Sequence, residues 1–422
     1  MKKVGVALLG LGTVGYGTYR ILTENRENIK KIHGVDIEVK CILERNLERV
    51  RALGVPEAIV SQDINTVLND KDISVVAEFF GGIEPARSFL VASLKAGKSI
   101  VTANKEMFAK NRNELAAAAK ETGAGIYFEA SCVGGVPIIR TLTEGLQGDK
   151  ITAIKGIFNG TTNYILSKMS NEGLEYADVL KEAQALGYAE ANPSADVDGY
   201  DAMYKLSILA SLAFRENIAL DKIKRQGISK ISKKDIVLGK KYGYMLKLIA
   251  AAEKAANGAV AVRVAPAFLK NAHPLASVSG SFNAVMVKGS YVGDIMLYGR
   301  GAGDLPTGSA IVSDIVFASL QTKHKMPFEN QNAPEFNANT EDEYYVRLSA
   351  EDRSGVLAQI ADVWAREHIS IRALEQIPSD GDTAEIVFFT HKTGAETLNE
   401  AIAQIKSSSF VKTVDAIIRI EQ

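Results

Sequence analysis

Cysteine and tryptophan are scarce: two cysteines and one tryptophan in 422 residues. Cys41 and Cys132 lie far apart, so there is no disulfide framework and no CxxC metal or redox motif, and a reducing cytoplasm is the expected location. An excess of charge of either sign is also missing, since 49 Lys and Arg face 50 Asp and Glu for a formal net charge of −1. A nucleic-acid partner, which needs a basic face to neutralise phosphates, is therefore not expected. The histidines (His33, His273, His324, His368 and His391) are scattered without HxxxH spacing, which argues against a transition-metal site. No apolar run approaches about 18 residues, so no membrane partner is expected. Met1-Lys2-Lys3 and the apolar run at 4–9 are too short and glycine-interrupted for a secretory signal, and no small-residue cleavage site follows.

What is present is an ordinary globular balance, 46% hydrophobic and 23% charged. The length exceeds what one core fills, about 250 to 300 residues, so two or three domains are expected. From residue 3 to about 130, short apolar runs at 4–9, 37–43, 75–79, 99–102 and 125–129 alternate with helical stretches such as 14–23 and 114–121, the pattern of parallel βαβ units. From 134 to about 306 the texture becomes α+β, with a strand at 151–158, an apolar helix near 202–214 and strands around 285–289 and 294–298. The stretch 327–343, rich in Asn, Glu and Pro, reads as a linker. Beyond it come a strand at 344–348, a helix at 356–366, strands at 370–376 and 384–389 around the turn Ser379-Asp380-Gly381-Asp382, a helix at 396–406 and a strand at 411–420. That order, βαββαβ, is the ferredoxin-like plan.

The first strand runs into Gly10-Leu11-Gly12-Thr13-Val14-Gly15 just before a helix. A dinucleotide pyrophosphate needs such a turn, because glycines allow close backbone approach and the helix start offers N–H donors. At the end of the second strand Glu44 and Arg45 stand side by side. An acid there bonds the ribose hydroxyl of NAD, whereas arginine accepts the 2′-phosphate of NADP, and Arg45 tips the reading towards NADP. Thr102-Ala103-Asn104-Lys105 follows a strand at the carboxyl edge, where Lys105 either touches cofactor and substrate or is a solvated loop lysine.

Residues 187–205 are the most informative stretch. Asp201 and Lys205 sit four apart on one face of an apolar helix, so they form either a surface ion pair or a buried acid and ammonium held there for chemistry. In the second case desolvation lowers the lysine pKa, Asp201 raises it, and a positioned proton donor results. Glu190 and Asp196 on the preceding loop are either solvated carboxylates or ligands for the ammonium of an amino-acid substrate. Asn159-Gly160-Thr161-Thr162 closes a strand and caps a helix, and Gly299-Arg300-Gly301-Ala302-Gly303 is a second glycine-rich approach before a helix at 308–320.

Over essentially its whole length the chain resembles the homoserine dehydrogenases, on GLGTVG at 10–15, TANK at 102–105, EASCVGGVP at 129–137, NGTTNYIL at 159–166, GYAEANPSADVDGYDAMYK at 187–205 and GRGAG at 299–303, in the family's order. The resemblance implies reversible hydride transfer between L-aspartate 4-semialdehyde and L-homoserine, on the path to threonine, methionine and isoleucine. It implies Lys205 as proton donor held by Asp201, and Lys105 between nicotinamide and substrate. Glu190, Asp196, Tyr188, Gly160 and Thr161 would bind substrate. Gly10, Gly12, Thr13, Val14, Gly15, Arg45, Lys105 and Gly303 would bind NADP or NAD. Carbonyls of Glu129, Cys132, Gly134 and Val136 would hold a monovalent cation, sodium. Residues 344–422 are similar to an ACT domain, with Asp352-Arg353-Ser354-Gly355-Val356-Leu357 at its ligand loop and Ser354 where proline is common; L-threonine is the implied effector.

The implied fold class is α/β: a Rossmann domain at 1–130 completed by a helix at 304–322, an α+β substrate and dimerisation domain at 131–303, the linker at 327–343 and a ferredoxin-like ACT domain at 344–422. A homodimer or homotetramer of the monofunctional form is expected, with no kinase segment ahead of Met1. Two other readings compete: a phosphorylating semialdehyde dehydrogenase with Cys132 as thiolate nucleophile, and a non-catalytic cofactor-binding regulator. An ACT-bearing hydroxyacid dehydrogenase fits less well, since its dinucleotide motif lies mid-chain and its catalysis uses a histidine.

Overall fold

The computed structural model describes residues 2–324, 328, 332–336, 340–378 and 381–421. The chain divides into two compact units, one made of Met1–Gly160, Tyr200–Ile223 and Ser281–Pro334, the other of Thr161–Gly199, Lys224–Gly280 and Glu335–Gln422.

In the first unit the strand Lys2–Leu9 shows why the parallel reading holds. Its alternate residues Val4, Val6 and Leu8 enter one apolar cluster and Ala7 and Leu9 enter another on the opposite face. Burial on both faces is what a near-continuous apolar strand in a parallel sheet requires. Six strands lie in the order Val60–Ser61, Val35–Leu43, Lys2–Leu9, Ile73–Glu78, Ser99–Thr102, Ile126–Tyr127, all parallel. Chain direction across the sheet reverses between Lys2–Leu9 and Ile73–Glu78, and the crevice at such a switch point is where doubly wound folds bind ligands. Helix Asp304–Leu320, remote in sequence, supplies Ala310, Ile311, Ile315 and Val316 to the first cluster. The same unit holds three antiparallel strands, Ile151–Ile157, Phe282–Gly289 and Gly293–Arg300, and helix Tyr200–Phe214, in which every residue except Tyr200 and Tyr204 is buried.

In the second unit Tyr244–Lys254 and Val260–Lys270 form a long antiparallel hairpin. Strand Val411–Glu421 runs parallel to the second arm, with Phe268 opposite Ile420. It leads on to Glu341–Glu351, Thr383–Thr390 and Ile371–Pro378, covered by helices Val356–Arg366 and Ala395–Ser407. Val356, Ile360, Val363 and Trp364 of the first helix and Leu398, Ala401, Ile402 and Ile405 of the second form its core with Val346, Leu348 and Phe388. This is the ferredoxin-like plan the sequence predicts.

Several elements differ from expectation. The helix expected at 114–121 begins at Lys105 and runs to Thr122, because Asn104 caps it by accepting from the Met107 N–H at 3.0 Å. The strand expected at 125–129 is only Ile126–Tyr127, and Glu129 starts a 3-10 turn. The helix read at 308–320 from its apolar pattern and at 304–322 in the expected domain plan runs Asp304–Leu320, capped by Gly303. The hairpin Tyr244–Lys254 and Val260–Lys270 has no counterpart among the predicted strands. Its arms are almost continuously apolar, with Ala250, Ala251 and Ala252 in a row, and so lack the alternation by which a one-sided strand is recognised. Within the stretch read as linker, residues 341–343 already belong to a strand, and Phe328, one residue inside it, is buried against Phe108 and Phe128. The rest of that stretch at 327, 329–331 and 337–339, with Ser379 and Asp380 of the predicted turn, lies outside the described residues.

Candidate active site

The glycine turn is built for close approach. Gly10 takes φ +102°, and a Cβ on Gly15 would sit 2.3 Å from the Gly10 carbonyl oxygen, so side chains at both positions are excluded. Space around Gly12 is open, and Gly12 caps helix Thr13–Glu24, which leaves the N–H groups of its first turn for an anion. Glu44 reaches this turn: its Oε2 accepts from the Leu11 N–H at 2.8 Å, while Oε1 accepts from the N–H groups of Arg45 and Asn46 at 2.9 Å each. Arg45 itself is exposed.

At the carboxyl edge of the same sheet the predicted residues Lys105, Asp201 and Lys205 meet, the two lysines on the one carboxylate. Asp201 Oδ2 receives the Lys205 ammonium at 2.6 Å and the Asn159 side-chain amide at 2.9 Å, and Oδ1 lies 3.2 Å from the Lys105 ammonium. Lys205 also donates to the Phe158 carbonyl at 2.8 Å. Asp201 and Lys205 are buried, with side chains 7% and 9% exposed, so the surface ion-pair reading is excluded; Lys105 at 41% stays open to solvent. Burial by itself would push the Asp201 carboxyl up. The charges of Lys205 and Lys105 and the hydrogen bonds from Asn159 and Lys205 outweigh it and hold the group well below the usual carboxylate range. The solvated-loop reading of Lys105 also fails, since it is the first residue of a capped helix with its amine on a buried acid. Asn159 and the Phe158 carbonyl were not expected as partners; the NGTT stretch reads from sequence as a turn, and only the fold brings it to Asp201.

The turn at 129–136 lies in this unit too. Val133 and Gly134 both take φ +58°, and a β-branched residue in that region costs about 1–3 kcal/mol and tends to occur at ligand sites. A Cβ on Gly134 would meet the Gly301 carbonyl oxygen at 2.4 Å, so this turn is packed on the Gly299–Gly303 stretch. Cys132 is fully buried, and burial pushes its thiol up to about 12. A thiol closed off from solvent and disfavoured as thiolate does not suit a nucleophile that must meet substrate, which counts against the phosphorylating alternative.

The other predicted substrate residues belong to the second unit, Gly160 excepted. Thr161 donates its hydroxyl to the Tyr188 carbonyl at 2.6 Å, and the Tyr188 ring lies 4.8 Å from that of Tyr164. Glu190 is exposed, its backbone carbonyl accepting from Gln184 at 3.0 Å; Asp196 is half-buried in the short helix Ser194–Val197 rather than on a loop. Among the described residues no helix is long and apolar enough to cross a membrane.

A dinucleotide turn at the switch point of a parallel sheet, with ammonium groups at the same carboxyl edge, defines a nicotinamide-dependent oxidoreductase acting on a CH–OH group. The family profile of the homoserine dehydrogenase NAD-binding domain matches residues 10–129, that of homoserine dehydrogenase 137–316 and that of the ACT domain 344–409. The chain belongs to the homoserine dehydrogenase family and carries an ACT domain. It is 39% identical over 429 positions to the homoserine dehydrogenase of Bacillus subtilis, covering 100% of this chain and 99% of the relative. The crystal structure of a homoserine dehydrogenase from Thiobacillus denitrificans matches with a TM-score of 0.93 at 39% identity, covering 100% and 99% of the two chains. A hyperthermophilic archaeal homoserine dehydrogenase in complex with NADPH matches at 0.65 and 30% identity, over 75% of this chain and 98% of that one.

Proposed function

We propose that the chain catalyses the reversible reduction of L-aspartate 4-semialdehyde to L-homoserine, on the way to threonine, methionine and isoleucine, in the cytoplasm. The observation that carries the reading is Asp201, whose two oxygens receive two lysine ammonium groups at 2.6 and 3.2 Å beside a dinucleotide-type sheet edge. A bound nicotinamide supplies the hydride to the aldehyde carbon. Lys205 delivers the proton to the aldehyde oxygen: of the three N–H donors of an ammonium, two are spent on Phe158 and Asp201, and the third serves substrate. Lys105 stabilises the developing alkoxide, and Asp201 holds both amines in place. Glu190 and Asp196 take the substrate amino group, with Tyr188, Gly160 and Thr161 around it.

The cofactor pyrophosphate rests on Gly10, Gly12, Thr13, Val14 and Gly15, with Gly303 and Lys105 as further contacts. NADP is the preferred form through Arg45. The competing choice, NAD, is favoured by the Glu44 carboxylate at 2.8 Å from the Leu11 N–H, where it would accept from a ribose hydroxyl. The carbonyls of Glu129, Cys132, Gly134 and Val136 hold sodium; an all-oxygen donor set on a strained left-handed turn suits a hard monovalent ion and offers it charge neutralisation by dipoles alone. Residues 1–130, with the helix at 304–322, bind cofactor; 131–303 bind substrate and form the main interface of a homodimer or homotetramer; the stretch read as a linker at 327–343 leads, up to the strand that starts at Glu341, into the ACT domain expected at 344–422, which binds L-threonine as feedback effector.

The test follows nicotinamide absorbance with L-homoserine and each cofactor, with and without threonine. Turnover is expected, and Lys205→Ala abolishes it. Near-normal turnover in that variant removes the lysine from its role, and cofactor binding without turnover in the parent favours a regulator instead.

A further inference from the structure

A second buried acid lies at the same sheet edge and has no part in the reaction as written above. Glu78 ends the strand Ile73–Glu78 and is 0% exposed. It stands between Leu9, which leads into the glycine turn, and Thr102, which leads into the turn before Lys105. Both of its oxygens accept: Oε1 from the Phe80 N–H at 2.6 Å, Oε2 from the Thr102 hydroxyl at 2.6 Å. That hydroxyl accepts in turn from the Asn104 N–H at 3.0 Å. The Asn104 side chain then closes the turn, donating to the carbonyls of Phe80 at 3.2 Å and Gly82 at 2.7 Å and accepting from the Met107 N–H at 3.0 Å. With Glu78 ionised, the chain of donors runs in one direction, from Asn104 through Thr102 to a carboxylate that can only accept.

We infer that Glu78 is a positioning residue whose ionised carboxylate, through Thr102 and Asn104, sets the first turn of the helix from which Lys105 reaches Asp201, and whose protonation releases that turn and slows turnover. The inference rests on the role proposed for Lys105. A neutral carboxyl keeps one bare oxygen for the Phe80 N–H and turns its O–H towards the Thr102 oxygen, so the Glu78–Thr102 bond reverses and the Thr102 hydroxyl proton loses this acceptor, which loosens the link between strand and turn. Burial pushes this carboxyl up to about 7, against the hydrogen bonds from Thr102, Phe80 and Asn104. The groups that face it are neutral: the Thr102 hydroxyl from the adjacent strand, the Phe80 amide from the turn that follows, the Asn104 amide from the helix cap and the backbone at Leu9 from the strand on the other side. The latch is therefore closed on the alkaline side of neutrality and opens on the acid side.

The experiment compares kcat against pH for the full chain and for Glu78→Gln, with L-homoserine and saturating cofactor. The parent should show an acid limb centred at about pH 7. In Glu78→Gln, a permanent mimic of the neutral acid, that limb disappears and kcat stays low across neutrality, about ten- to a hundredfold below the parent's alkaline plateau, as misplacement of a catalytic group by a fraction of an ångström produces. The readout is kcat at saturating cofactor, because Lys105 is itself placed against the cofactor and the cofactor KM is free to rise with its displacement. Thr102→Ser, which keeps the hydroxyl, should retain the limb and Thr102→Val should lose it, so the prediction survives a failure of Glu78→Gln to fold. A parental plateau and limb in Glu78→Gln or Thr102→Val overturns the inference. If Lys105→Ala is inactive while those two variants behave as the parent, only Glu78 loses its role; a fully active Lys105→Ala overturns the reading of Lys105 and this inference with it.

Discussion

Asp201 in the first unit and Asp235 in the second are both buried carboxylates on helices, yet they are neutralised by different cations. Asp235 accepts from Arg347 at 2.8 and 3.2 Å and from the Tyr345 hydroxyl at 2.9 Å, and closes a capping box with Ser232 at the start of helix Lys233–Lys241. A guanidinium is a fixed fork that stays charged, so this cluster fills its own bonding capacity and has no proton to pass on. Asp201 holds two ammonium groups, each on a flexible stem with rotatable N–H donors, and one of the two is open to solvent. Burial of a charge therefore does not by itself mark a site of chemistry. The identity of the cation, and whether it has a donor to spare, separates the cluster proposed as catalytic from the structural one.

The comparison breaks most visibly at Asp201. Asp201→Asn should lower kcat for homoserine oxidation by about 10²-fold or more, since Lys205, which in this direction takes the hydroxyl proton, loses both its orientation and its charge partner; a rate within threefold of the parent would make Asp201 a structural ion pair like Asp235. Arg347→Met should act on stability instead. It leaves the Asp235 carboxylate buried without its cation, a loss of about 3–5 kcal/mol by urea unfolding, with kcat of the folded enzyme unchanged. An unfolding midpoint equal to the parent's would show that the pair adds nothing.

Acid sharpens the same contrast more gently. Burial pushes the Asp235 carboxyl up, but the hydrogen bonds from Arg347 and Ser232 and the Arg347 charge hold it below its ordinary value. A carboxylate depressed in the folded state binds fewer protons there than in the unfolded chain, so its contribution is complete above the ordinary aspartate pKa of about 4 and is lost as pH falls through the lowered value. Urea midpoints should fall on acidification below about pH 4, and Arg347→Met should flatten that part of the decline; an unchanged slope would remove Asp235 from the acid response. The smallest effect concerns an arginine turned outward. Arg45→Ala should lower the NADP to NAD ratio of kcat/KM by about tenfold, the worth of one charge-assisted hydrogen bond, and Glu44→Ala should raise it. A fall in the ratio with Glu44→Ala would reverse the assigned preference.

Much of the architecture was legible because local chemistry and fold agree. Helix Val356–Arg366 appears with the predicted bounds, its apolar positions at Val356, Ile360, Val363 and Trp364 following a single face. Strand Ser99–Thr102 does the same between its flanking helices. The hairpin Tyr244–Lys254 was illegible for a definite reason. Lys247, in its middle, is 1% exposed and donates to Asn163, Ser167 and Val278, none of which is near it in sequence. A lysine in an apolar run argues against burial until its acceptors are known. Phe328 was missed in the same way, an isolated aromatic in a polar stretch whose partners Phe108 and Phe128 lie far upstream.

Spacing along the chain sufficed for what depends on neighbours: the glycine turn after the first strand, Asp201 one helical turn ahead of Lys205, and the alternation of strand and helix that dictates a parallel sheet. Tertiary structure alone decided that Asp201 and Lys205 are a buried pair rather than a surface one. It buried Asp201, brought Lys105 and Asn159 to it, and sealed Cys132 away from reaction, because desolvation and the geometry of long-range partners arise only when remote segments share one interior.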